Sequence, residues 1–275
     1  MKVTIWGSRG SLASAGPDTV RYGGNTACVQ VDGADGSVLI LDAGTGMRRA
    51  GLVLAGDGRP VHVLLTHLHM DHIQGLGFFR PLFERGREIH IWGPPSTTQD
   101  LRTRLTRYLS PPLFPVRIRD LASRVELHDV PGEPWSVGSF TIAAAGIVHP
   151  GPTVGYRVES DGARLAYLPD HEPVLAGPLT DPLWLSGQVL AQGVDVLLHD
   201  GQYTDEEYRQ RVGWGHSSVG QAVQFADLVE ANDLVLIHHD PDHSDDLIDD
   251  LVAVAARERH RGFARGASEG MVLEV

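Results

Sequence analysis

The stretch "VHVLLTHLHMDH" (residues 61–72) changes character halfway along. Its first half is a near-continuous apolar run, the pattern of a strand buried on both faces. Its second half places His67, His69, Asp71 and His72 within six positions. At a strand end, turn geometry can aim all four side chains into one cavity. Imidazole nitrogen and carboxylate oxygen without thiolate suit Zn²⁺ or a similar first-row ion. Two histidines one residue apart cannot complete a coordination sphere, so further ligands must come from distant segments that also end strands. Three residues qualify: His149 ends "FTIAAAGIVH", Asp170 ends "RLAYLPD" and His238 ends "LVLIH". His62, His90, His128 and His260 lack such a setting and read as ordinary polar or surface residues.

The chain around this motif has 275 residues, 42% of them hydrophobic and 21% charged. That composition is globular, and the absence of a linker or break in composition predicts one domain over residues 1–275. No apolar run reaches the roughly 18 residues that span a bilayer. The opening "MKVTIWGSRG" lacks the apolar core of a signal peptide, so a cytoplasmic location is expected. The one cysteine, Cys28, excludes a disulfide framework and reads as a buried core thiol. The formal charge of −12 disfavours loose binding to nucleic acid or to an anionic membrane, yet allows a small anionic substrate held by metal ions. The acidic run "DPDHSDDLIDD" reads as a solvated helix start.

Strands are expected at "KVTIWG", "TACVQV", "SVLILDAG", "RPVHVLLT", "IHIWG", "SRVELHDV", "SFTIAAAGIV", "TVGYRVES", "ARLAYLP", "GVDVLLHDG", "DLVLIHHD" and "GMVLEV". Residues 96–109 read as a helix capped by Ser96 or Thr97, with Leu101, Leu105 and Tyr108 on one face. Ser218 with Gln221 forms a capping-box pattern before a second helix, and Ser244 caps a third. Strands dominate the first two thirds and helix–strand alternation the last, which predicts a layered α/β protein with mixed sheets.

With these residues in view, the chain resembles the metallo-β-lactamase-fold hydrolases over nearly its whole length, and most of all the ribonuclease Z and phosphodiesterase-type branch. "DAGTG" (42–46) is similar to the first family motif and "HLHMDH" to the second, H-x-H-x-D-H. His149, Asp170 and His238 fall at the later motif positions. The resemblance implies an αββα sandwich with the site at the sheet edges. It implies one metal ion on His67, His69 and His149, a second on Asp71, His72 and His238, and Asp170 bridging the two. Zn is the expected metal, with Mn and Fe as alternatives. Of the tandem His238–His239, the first is taken as the ligand. The resemblance also gives His216 of "GWGHSS" a catalytic or phosphate-contacting role, with Asp200 and Tyr203 as candidate orienting or pocket residues. The branch commonly forms homodimers.

The chemistry implied is hydrolysis of a phosphodiester by a hydroxide shared between two metals, on a cyclic nucleotide or another small diester. His216 would protonate the leaving alkoxide, while Asp71 would act as a metal ligand rather than a free base. Two other readings use the same metals: hydrolysis of an ester, thioester or lactam, and non-catalytic carriage of a small anion. One departure bears on the substrate. The segment between Asp170 and "HDG" shows no Gly- and Lys-rich arm, and "LAGPLTDPLW" within it reads as a compact turn. With the charge of −12, that argues against transfer-RNA processing and against a stable nucleic-acid complex. Apolar walls for the substrate are expected from "GFFRPLF" and "SPPLFPV".

Overall fold

The computed structural model describes residues 1–175, 179 and 185–275. The expected turn "LAGPLTDPLW" lies almost wholly outside the described residues. The first sheet is built from β1 (Lys2–Gly7), β2 (Cys28–Asp32), β3 (Val38–Leu41), β4 (Val61–Leu64), β5 (Glu88–Gly93) and β6 (Arg124–Asp129). The second comprises β7 (Trp135–Val137), β8 (Phe140–Gly146), β9 (Val154–Ser160), β10 (Ala163–Leu168), β11 (Val196–Asp200), β12 (Asp233–Ile237) and β13 (Phe263–Gly266). The last strand, β14 (Val272–Glu274), returns to pair antiparallel with β1. Each sheet joins an antiparallel half to a parallel half: β3 to β6 run parallel in one, β10 to β13 in the other. Parallel strands need crossovers, and these supply the helices.

Val3, Val29, Leu39 and Leu41 of the first sheet face Val158, Leu165, Leu198 and Val235 of the second, all buried. Alternate residues of the same strands point outward under helices. Val61, Val63 and Ile89 pack beneath α1 (Met47–Val53) and α3 (Leu101–Thr106). Ala166, Leu197 and Leu234 pack beneath α4 (Gln188–Ala191), α6 (Val219–Leu228) and α7 (Asp245–Glu258). Each buried aliphatic side chain stabilises this arrangement by about 1.5–3 kcal/mol. The result is the helix–sheet–sheet–helix sandwich, the expected fold class. Two short helices serve the site: α2 (Met70–Ile73) and α5 (Asp205–Arg209). No helix among the described residues is long and apolar enough to cross a membrane.

Three local expectations need correction. The helix placed at 96–109 is shorter, and its cap is Asp100, which accepts from the Thr103 amide at 2.7 Å, rather than Ser96 or Thr97. A carboxylate beside free amides is a strong cap, and Ser96 instead contacts Thr98. The strands Trp135–Val137 and Phe263–Gly266 carry weak apolar patterns and were not expected. The acidic start of α7 is not merely solvated: Asp245 is buried and accepts from the Arg21 amide at 2.7 Å, with the Arg9 guanidinium 3.4 Å away.

Candidate metal centre

The parallel strands of both sheets point their carboxyl ends to one edge of the sandwich, the usual place for a ligand crevice in open α/β sheets. Asp42 follows β3, His67 and His69 follow β4, Asp170 follows β10 and His238 follows β12. His149 arrives from the loop after β8. After His69 the chain turns into α2, which carries Asp71 and His72 and keeps the His72 ring 4.3 Å from that of His67.

Asp170 lies between two groups, fully buried. His67, His69 and His149 form one group that could hold a metal ion; Asp71, His72, Asp170 and His238 form another. On the first side, His149 Nε2 lies 3.2 Å from His69 Nδ1. His67 Nε2 and His149 Nε2 each lie 3.7 Å from Asp170 Oδ2. On the second side, Asp170 Oδ1 lies 3.0 Å from His72 Nε2 and 3.3 Å from His238 Nε2. Asp71 Oδ2 lies 3.2 Å from His238 Nε2.

The hydrogen-bond network assigns a tautomer to four of these five rings. His72 Nδ1 donates to Asp42 Oδ2 at 2.8 Å and His238 Nδ1 to Gln202 Oε1 at 2.9 Å. His149 Nδ1 donates to the Gly215 carbonyl at 2.9 Å. His67 Nδ1 donates to Thr66 Oγ1, which donates on to Asp42. Each outward N–H leaves the Nε2 lone pair facing inward, the outer-shell arrangement that orients metal-binding imidazoles. Burial above all, with the neighbouring His72, holds His67 well below the ordinary imidazole range; burial also lowers His69 and His149. Burial opposes the charged form of His72 as well, but Asp170, Asp71 and Asp42 outweigh it and raise that ring well above the ordinary range. Two buried acceptors there, His67 Nε2 and Asp170 Oδ1, have no hydrogen-bond partner. Orphaned buried acceptors among lone pairs fit divalent cations.

Three residues at this edge have left-handed backbones without being glycine: Ser11 (φ 56°), Asp42 (φ 57°) and His238 (φ 64°). Such strain of order 1–2 kcal/mol persists where surrounding contacts over-determine it. At His238 the turn sends its ring into the cluster and sends His239 away, onto the Ala267 carbonyl at 3.0 Å. Gly10 packs against the His238 ring so closely that a Cβ would collide with it. Next to it, the Ser11 amide donates to Asp71 Oδ2 at 2.8 Å.

His216 stacks on His238 at 4.9 Å and lies 5.0 Å from the His149 ring. Its Nδ1 sits 2.8 Å from Asp200 Oδ2. Burial opposes the charged ring, but Asp200 outweighs it and raises the imidazole to about 9. Tyr203 meets His216 edge-on at 5.8 Å. The loop carrying His216 is tied down by Glu172, fully buried. Its carboxylate accepts from Tyr208 Oη at 2.8 Å and from the amides of Gly213 and Gly215, both at 2.9 Å.

A cavity of about 350 Å³ opens beside His67 and His69, walled by Met70, Tyr108 and Leu113 with Arg104 and Arg107 at its side. The wall expected from "SPPLFPV" supplies Leu113. "GFFRPLF" supplies no residue to that cavity: Phe79 and Leu82 are core residues, while Phe78 and Phe83 are exposed. Sequence reading also passed over Gln202, Thr66 and Glu172. Of these, only Glu172 left a trace, as an acid directly after Asp170–His171.

Fold and centre together define a metal-dependent hydrolase. The chain belongs to the β-lactamase superfamily, whose "Beta-lactamase superfamily domain" matches residues 38–239. It is 30% identical over 260 residues to the ribonuclease Z of Mycobacterium sp. (strain KMS), covering 88% of this chain and 85% of that one. It is 28% identical over 290 residues to the ribonuclease Z of Myxococcus xanthus (strain DK1622), covering 88% and 90%. Among solved structures, Zn²⁺-bound PqqB from Methylobacterium extorquens superposes with a TM-score of 0.73 at 22% identity, covering 100% of both chains.

Proposed function

We propose that residues 1–275 form one catalytic domain that hydrolyses a small phosphodiester. His67, His69 and His149 would hold one divalent ion, Asp71, His72 and His238 a second, with Asp170 shared. Bound there, two such ions supply a water activated near neutral pH and positive charge for a phosphoryl oxygen. The remaining work falls to the chain. His216, held by Asp200 through Nδ1, turns Nε2 to the centre and delivers a proton to the leaving alkoxide. Asp42, Gln202 and Gly215 keep the ligand rings oriented. The cavity beside His67 offers apolar walls for the diester substituent, while Arg107 attracts its charge.

The observation that carries this reading is the Asp200–His216 pair set beside a cluster that holds the unpartnered acceptors His67 Nε2 and Asp170 Oδ1. The thiolate of a thioester leaves more readily than an alkoxide and needs that proton less. The names of the ribonuclease Z relatives favour a second reading, cleavage of an RNA, against which stands the charge of −12. The test is turnover of bis(p-nitrophenyl) phosphate by protein loaded with Zn²⁺ or Mn²⁺, beside a structured RNA. Cleavage of the diester with little on RNA supports the proposal. No diester cleavage with any first-row metal from about pH 6 to 9 refutes it.

A further inference from the structure

A second group of histidines lies away from Asp170. Strands β4, β5 and β6 are parallel neighbours, and their register sets His62 beside His90, His90 beside Glu126 and Trp92 beside His128. Ile89 and Ile91 of β5 face the helix layer, so His90 and Trp92 face the other way, towards the second sheet. Strand β6 is the edge of its sheet, and these side chains are half-buried rather than sealed.

His90 Nδ1 lies 3.0 Å from His128 Nε2 and 3.7 Å from Glu126 Oε2. The other ring nitrogen of His90 donates to Glu88 Oε1 at 2.8 Å. That bond places the proton on Nε2 and leaves the Nδ1 lone pair facing His128 and Glu126, as a carboxylate does for a metal-binding imidazole. The rings are clamped: His62 stacks on His90 at 4.5 Å and 9°, and Trp92 stacks on His128 at 4.2 Å. Burial foremost keeps the His128 ring below the ordinary imidazole range, hence neutral and able to coordinate. Zn–N bonds of about 2.0–2.1 Å in a tetrahedron put two ring nitrogens about 3.3 Å apart, so the observed spacing needs an adjustment of only a few tenths. Glu126 Oε1 accepts from Arg124 at 2.8 Å, and its Oε2 is turned to the His90 Nδ1 lone pair.

We propose that His90, His128 and Glu126 form a separate site for a borderline divalent cation such as Zn²⁺, Ni²⁺ or Cu²⁺, clipping edge strand β6 to β5. Two imidazoles and one carboxylate, with the remaining position open to water, suit these ions over Mg²⁺ or Ca²⁺. The site shares no residue with the Asp170 centre, so it stands or falls independently of the hydrolase reading.

The experiment uses the untagged full chain, stripped by chelator, dialysed against buffered free Zn²⁺ and counted for metal by atomic spectroscopy. The expected result is one ion fewer per chain in His128→Asn than in wild type, with diester turnover per chain unchanged. A Ni²⁺ titration of Zn-loaded protein should show the same missing equivalent. Should His128→Asn fail to fold, Glu126→Gln serves, because its side chain is partly exposed; it should weaken that equivalent at least tenfold. Equal metal content and equal Ni²⁺ titrations for wild type and the variants would overturn the site.

Discussion

Glu172→Gln tests the link from packing to catalysis most directly. The native carboxylate presents acceptors to three donors: Tyr208 Oη and the Gly213 and Gly215 amides. Glutamine keeps one acceptor oxygen and replaces the other with an NH₂ group. The best orientation retains Tyr208 and Gly213 and leaves the buried Gly215 amide facing a second donor. An unsatisfied buried donor costs about 1–3 kcal/mol, and the two surviving bonds lose their charge assistance at roughly 1 kcal/mol each. A loss of about 3–5 kcal/mol is expected, which for a chain of 275 residues lowers the melting temperature by about 5–9 °C. The same loop carries His216, and its Gly215 carbonyl orients His149. Misplacing His216 by an amount worth only about 1.4 kcal/mol of barrier lowers kcat tenfold. The assays are a thermal melt and hydrolysis, on metal-saturated protein, of a diester with a poor alkoxide leaving group, whose departure needs the His216 proton. A midpoint unchanged within about 1 °C together with a rate within twofold of wild type would show that the latch does not position the loop.

Other perturbations separate the remaining roles. Asp170→Ala removes the carboxylate shared by both groups, so metal analysis should find both ions lost or nearly so and turnover abolished; two ions retained would contradict the bridging assignment. His216→Ala should keep full metal content yet lose about 10²–10⁴ in rate on substrates with poor leaving groups and much less on p-nitrophenyl esters. Metal release from that variant would mean that His216 is a ligand. Asp35 reports on the fold instead of the centre. Hydrogen bonds from Ser37 foremost, then from Ser139, lower its carboxyl to about 2 and tie the β2–β3 turn to the β7–β8 turn. A depressed carboxyl stabilises the folded state above its unfolded value near 3.9, and that contribution fades as pH falls towards about 2. The stability gap between wild type and Asp35→Asn should therefore be constant from about pH 7 to 5 and close below about 4, as urea midpoints would show.

Much of the architecture is legible along the chain because its signals are local. Apolar runs ending in His or Asp mark the strands, and Ser218 and Ser244 cap α6 and α7 where their spacing places them. Other signals fail where a neighbour in space competes. Asp100 takes the cap of α3 from Ser96, and β7 and β13 are recognisable only beside the strands they pair with. Asp245 looked like a solvated acid because nothing in its own stretch announces the Arg9 side chain 236 residues away.

By itself, the sequence determined the class of chemistry. Four ligand-capable side chains within six positions need few contacts from elsewhere to converge, and strand ends supply the rest. Only the tertiary structure decided which ring of His238–His239 enters the centre, through one left-handed turn and the close approach of Gly10. It also decided that Glu172 latches the His216 loop across 41 residues to Gly213 and that His90 meets His128 across 38. The reason is range: a strand end aims its own side chains, whereas a buried acceptor or a ring nitrogen finds its partner through strand register and sheet packing.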